Sequence, residues 1–167
     1  LRKTKKNFKK TYKLSKLKTI CSTGSPLSED CFNYVYKNIK QNVHLASISG
    51  GTDIVSCFVL GNLYQPVHSG VIQSKGLGMD VRVFNEKGKS ILNKKGELVC
   101  VNPFPSMPLK FWNDPNDIKF KQAYFNKYKN VWHHGDYAKI TKNNGFVIYG
   151  RSDTTLNPGG VRLGTAE

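Results

Sequence analysis

Phe32, Val35, Tyr36 and Ile39 recur at intervals of three, one and three residues. That spacing places them on one face of a helix. Residues 17–23 before them alternate and then turn apolar, and residues 43–49 after them form a second apolar run. Gly24-Ser25-Pro26 supplies the intervening turn, and Ser28 stands where it can cap the helix. Strand, turn, helix and strand in this order make a βαβ unit. Its crossover commits the two strands to parallel pairing. The expected class is therefore α/β, with ligands meeting the carboxyl ends of the strands.

After residue 49 the chain turns β-rich. Residues 70–73, 80–84 and 97–101 are expected strands, and 85–89 a turn. Pro103, Pro105 and Pro108 imply an extended loop, and residues 118–128 a helix. Residues 137–141 and 146–149 flank Asn143-Asn144-Gly145, a hairpin signal. The pattern reads as a βαβ piece followed by a distorted small barrel. The expected divisions are a basic lead-in (1–18), the βαβ part (19–60), the β-rich part (61–152) and the start of something further (153–167). Such a mixture in 167 residues is the later part of a larger architecture.

A formal charge of +15 raises the question of nucleic acid. Of 26 basic residues only 4 are Arg, and nine of the 26 fall in residues 1–18, which hold no acid. This is a solvated lysine surface with a basic lead-in rather than an arginine-rich reading face, so no nucleic-acid partner is expected. The competing reading, a basic nucleic-acid-binding module, rests on those first 18 residues. The chain has no apolar run of membrane-spanning length and no leader, which suits a cytoplasmic protein with no membrane partner. Cys21, Cys31, Cys57 and Cys100 are scattered without a CxxC pair; buried free thiols in a reducing compartment are expected.

Four loops could carry chemistry. Thr23-Gly24-Ser25-Pro26 lets a ligand approach backbone at a helix start, as any βα turn does. In Gly50-Gly51-Thr52-Asp53 two glycines clear space, a hydroxyl can donate to a phosphate and a carboxylate can hold Mg²⁺; a plain turn with an Asp cap fits the same residues. His133 and His134 are adjacent, so on a strand they face opposite ways, and no third ligand accompanies them to make a zinc site. Asp136 can accept from a diol such as ribose, or cap a turn. Arg151 can fork onto a phosphate or sugar. Asp153 follows two residues later, and Gly159-Gly160 precede Arg162.

In this order the loops resemble the acyl-CoA synthetases of the adenylate-forming superfamily, over about residues 15–167. Residues 22–27, with Gly24, Ser25 and Pro26, look like the loop flanking adenine and the acyl pocket. Gly50-Gly51-Thr52-Asp53 is similar to the family's Thr-Glu loop, with Asp53 in place of Glu. The resemblance implies that Thr52 contacts the adenylate phosphate and that Asp53 assists Mg²⁺. It also implies that Asp136 binds the ribose hydroxyls, that Arg151 contacts ribose or phosphate, and that Asp153 is a hinge. Gly159-Gly160-Val161-Arg162 would be the first active-site loop of a C-terminal domain, with Arg162 near the nucleotide. Residues 103–108, Phe111-Trp112-Asn113-Asp114-Pro115 and Trp132-His133-His134-Gly135-Asp136 point to the acetoacetyl-type branch. Related enzymes of the acetyl type carry a Trp where Gly50 stands here; its loss, with Gly51, would open the acyl pocket. The implied function is activation of acetoacetate with ATP and transfer to CoA, or the same reaction on another short acyl group. The family's phosphate loop has no counterpart before residue 22, and its catalytic lysine belongs beyond residue 167. The chain is thus expected to be an internal fragment lacking N- and C-terminal parts, and inactive alone.

Overall fold

A computed structural model describes residues 7–152. The helical face and its flanking runs form as expected. Strand β1 (Thr19–Ser22), helix α2 (Glu29–Asn38) and strand β2 (His44–Ser47) follow a short helix α1 (Phe8–Thr11). β1 and β2 pair in parallel, with Thr19 opposite His44 and Ser22 opposite Ser47. Phe32, Val35 and Ile39 are buried with Val43 and Leu45, and Tyr36 packs against them. Ser28 occupies the N-cap, but its side chain makes no capping bond. From residue 7 on, the lead-in is less loose than its charge implies. Phe8, Leu14 and Leu17 pack on the α2 cluster. The Lys40 ammonium donates to the carbonyls of Leu14 (2.7 Å), Ser15 (3.1 Å) and Leu17 (2.6 Å).

Two antiparallel sheets follow. Strands β3 (Ser49–Gly51), β4 (Ser56–Leu60) and β5 (Ser74–Lys75) form one, in that order. Strands β6 (Val81–Phe84), β7 (Gly96–Cys100), β8 (Trp132–Ile140) and β9 (Phe146–Arg151) form the other, likewise in sequence order. The chain is thus mixed α/β and mostly sheet. Residues 70–73 do not form the strand expected of them: Ile72 makes an isolated bridge to Phe146. The neighbouring Gln73 side chain is occupied as a tie between sheets. Its oxygen accepts from Asn62 N–H (2.9 Å) and meets His44 Nε2 (2.7 Å), while its nitrogen donates to the carbonyls of Asn62 and Gln65.

The main core gathers Phe58, Val59, Val81, Val83, Leu98, Trp132, Ile140 and Phe146 from both antiparallel sheets. Helix α3 spans Ile118–Tyr124, shorter than the expected 118–128. Its start is fixed by Asp114, whose carboxylate accepts from the N–H of Lys119 (2.9 Å) and Phe120 (2.8 Å). Its end follows from two aromatics with different destinations: Phe125 packs on Trp132, and Tyr128 on Phe84 in a separate cluster. Among the four free cysteines only Cys100 is buried; Cys21 is exposed, and Cys31 and Cys57 are intermediate. The expectation of buried thiols fails at Cys21, which lies on a strand whose one partner among the described residues is β2.

Candidate functional site

The carboxyl ends of β1 and β2 open onto a cleft of about 490 Å³. Gly24, Ser25 and Pro26 line it from the turn after β1, and Gly50, Gly51 and Thr52 from β3 and its turn. Asp136 from β8 and Arg151 from β9 close the far side. Asp53 sits round the corner, in an adjoining recess of about 410 Å³ that shares Thr52, His134 and Arg151 and adds Tyr124 and Trp132. Asp153 and Arg162 lie outside the described residues.

Each wall is shaped by local chain chemistry. Gly50 and Gly51 are strand residues of a hairpin, not the free loop expected. A Cβ on Gly50 would lie 2.1 Å from the Ser56 carbonyl oxygen, so the close approach of β4 requires glycine there. That direction is toward the β4 backbone, a reason for glycine independent of room for an acyl group. On the opposite side, Asp136 pairs with Arg151 across β8 and β9, and the register slips between Tyr137 and Ala138. Gly150 absorbs this bulge with a φ of +109°, a conformation costly for other residues. Bulges re-aim side chains; here Arg151 Nη1 comes to 3.4 Å from Asp136 Oδ1. The Asp136 side chain is 10% exposed and that of Arg151 31%.

Alternation along β8 sends its histidines to opposite faces. His134 turns to the cleft, with Nε2 3.0 Å from the Gly50 carbonyl and 3.5 Å from Asp136 Oδ2, and its ring against the edge of Phe58. It braces the glycine strand; among the described residues no group of three His, Cys, Asp or Glu is placed to hold a metal. His133 turns away and meets Glu97, a buried carboxylate that the sequence reading did not single out. Burial pushes the Glu97 carboxyl up, but hydrogen bonds from His133, Lys127 and Ser152 outweigh it and bring the pKa to about 2. Tyr124 was missed as well. Its hydroxyl donates to Asp53 and its ring stacks on Trp132 at 3.7 Å. Burial, then the Asp53 carboxylate, push the phenol above its ordinary value. Only the density of aromatics around residues 120–132 hinted at such a platform.

Among the described residues, a cation here would find a single carboxylate, Asp53, beside the hydroxyl of Thr52. Mg²⁺ keeps its waters and is held by one or two carboxylates plus a nucleotide's phosphates, so this donor set fits an ion carried in by a nucleotide rather than a protein-built cage.

No family model matches the chain. Relatives do. The acetoacetyl-coenzyme A synthetase of Rhizobium meliloti (strain 1021) is 60% identical over 158 residues, which are 95% of this chain and 24% of that protein. The acetoacetyl-CoA synthetase of Xenopus tropicalis is 54% identical over 94% of this chain and 24% of its own length. The solved acetoacetyl-CoA synthetase from Streptomyces lividans superposes with a TM-score of 0.85 at 40% identity, over 99% of this chain and 26% of the solved one. This chain is similar over nearly its whole length to the acetoacetyl-CoA synthetases and spans about a quarter of the length of those it matches.

Proposed function

We propose that the chain supplies part of the nucleotide and acyl site of an ATP-dependent acid–thiol ligase acting on acetoacetate. One observation carries the reading: segments far apart in sequence, around residues 24, 50, 136 and 151, meet in a single cleft. The high identity to proteins named for acetoacetate and CoA supports the substrate. In the reaction, the acid's carboxylate oxygen attacks the α-phosphorus of ATP and pyrophosphate leaves with the electron pair. The CoA sulfur then attacks the acyl carbon, and AMP departs.

The residues act by binding and orienting. Asp136 accepts from the ribose hydroxyls, and the Arg151 guanidinium reaches ribose or α-phosphate from beside it. Thr52 donates to the phosphate. Asp53 would hold the Mg²⁺ that accompanies ATP, an ion that neutralises phosphate charge when bound. Gly24, Ser25 and Pro26 lie along the nucleotide, and Gly50 and Gly51 form the stretch of cleft wall that faces the acyl group. Positioning and charge neutralisation supply the rate in such chemistry. Residues 19–60 and 61–152 would then be parts of an AMP-binding domain. Asp153 would be a hinge and Arg162 an element of the domain it moves, in a cytoplasmic enzyme whose free thiols suit a reducing compartment.

The test is pyrophosphate release by a full-length protein carrying this segment, offered acetoacetate, acetate and propionate in turn. Acetoacetate should give the highest kcat/KM, and CoA-dependent AMP formation should follow. Equal or better rates with acetate would overturn the substrate assignment. The 167-residue chain by itself should give no turnover.

A further inference from the structure

Glu97 is 5% exposed, yet it is a carboxylate. Leaving a charge buried costs several kcal/mol unless it is paired and hydrogen-bonded. Three donors converge on it: Lys127 Nζ at 2.5 Å on one oxygen, His133 Nε2 at 2.9 Å and Ser152 Oγ at 2.6 Å on the other. Lys127 follows α3, His133 lies on β8, and Ser152 comes directly after β9. The carboxylate thus ties three separate stretches together, and none of these four residues lines the cleft.

Ser152 is the neighbour of Arg151, and successive side chains of an extended strand point to opposite faces. Holding Ser152 to the back turns Arg151 to the front. The Ser152 N–H also donates to the Gly135 carbonyl at 2.8 Å, which keeps this end of the chain against β8. We propose that Glu97 is a positioning residue: through the Ser152 hydroxyl it fixes the end of β9 so that Arg151 stands beside Asp136 and faces the cleft. This rests on the proposed function only for what Arg151 then binds.

Ser152→Ala in the full-length protein deletes the hydroxyl with least disturbance, Glu97→Gln keeps the shape but removes the charge, and Ser152→Thr restores a hydroxyl. Crystal structures of wild type and Ser152→Ala should differ in the Arg151 side chain, which leaves Asp136 in the variant. KM for ATP should rise roughly three- to tenfold in Ser152→Ala with kcat little changed. It should return toward wild type in Ser152→Thr. Arg151 unmoved against Asp136 in Ser152→Ala would overturn the proposal, as would a lowered Tm with KM for ATP unchanged. A wild type without ATP-dependent activity would instead sink the proposed function, and the crystallographic comparison would still decide the positioning claim.

Discussion

Gly50 and Tyr124 mark the two ways a residue reaches this site. Gly50 is there because its neighbour strand leaves no room: a methyl group would sit 2.1 Å from one carbonyl oxygen and 2.7 Å from the Cys57 Cα. Both obstacles are backbone, so they cannot rotate away. Gly50→Ala should therefore destabilise the chain by about 1–3 kcal/mol, the range for overpacking, or prevent folding; urea unfolding followed by circular dichroism would measure it. Tyr124 is there because its ring is held by Trp132 while its hydroxyl reaches Asp53. Tyr124→Phe keeps the stack and removes the hydrogen bond. Its stability cost should be small, on the order of 1 kcal/mol, because the bond is exposed to water. The larger effect should be on the apparent Mg²⁺ requirement of the full-length enzyme, measured as the Mg²⁺ concentration giving half-maximal pyrophosphate release. An unchanged requirement would mean that the hydroxyl does not govern Asp53.

At the scale of the element, some parts could be read from the sequence and others could not. The α2 face was legible because its four apolar residues keep a single period. The β8–β9 hairpin was legible because Asn143-Asn144-Gly145 fits one kind of turn, and Asn144 indeed adopts a φ of +59°. Strand β4 was not separated from the apolar sequence around it, and β5 is two residues long, too short for any period to appear. Helix α3 was overrun at its end because periodicity cannot tell that Phe125 and Tyr128 belong to different clusters. Its start is set by Asp114, five residues before Lys119, through a 3-10 turn over Pro115–Asp117 that contains two left-handed residues. Asp114→Ala should cost about 0.5–2 kcal/mol, as loss of a helix cap does. It should also loosen α3 selectively, read as faster amide exchange at Lys119 and Phe120 than in the β8–β9 hairpin. In the candidate site, the glycines, Thr52, Asp136 and Arg151 were legible as loop chemistry. His134, Tyr124 and Glu97 were not, because their roles exist only once β8 is flanked on both faces.

For the whole molecule, the buried carboxylate couples fold to pH. The Glu97 pKa falls from an ordinary 4.5 to about 2 on folding. A depressed carboxylate stabilises the fold above its unfolded pKa, and that contribution is lost as pH falls through the folded value. Acid unfolding should therefore steepen between about pH 4.5 and 2, and Glu97→Gln should remove that part of the pH dependence; thermal melts across this range would measure it. Against this, the composition of the basic lead-in assigns it to solvent, and the structure attaches its described part through Phe8, Leu14 and Leu17. The attachment has a chemical consequence. An ammonium has three N–H donors, and on Lys40 three carbonyls engage them, so an acylating reagent must first break these contacts to reach the nitrogen. In a chain of 22 lysines, Lys40 should be acylated far more slowly than Lys9 or Lys10 by a limiting dose of acetic anhydride, as peptide mass spectrometry would record. Once it is acylated, residues 14–17 should become the place where a protease first cuts.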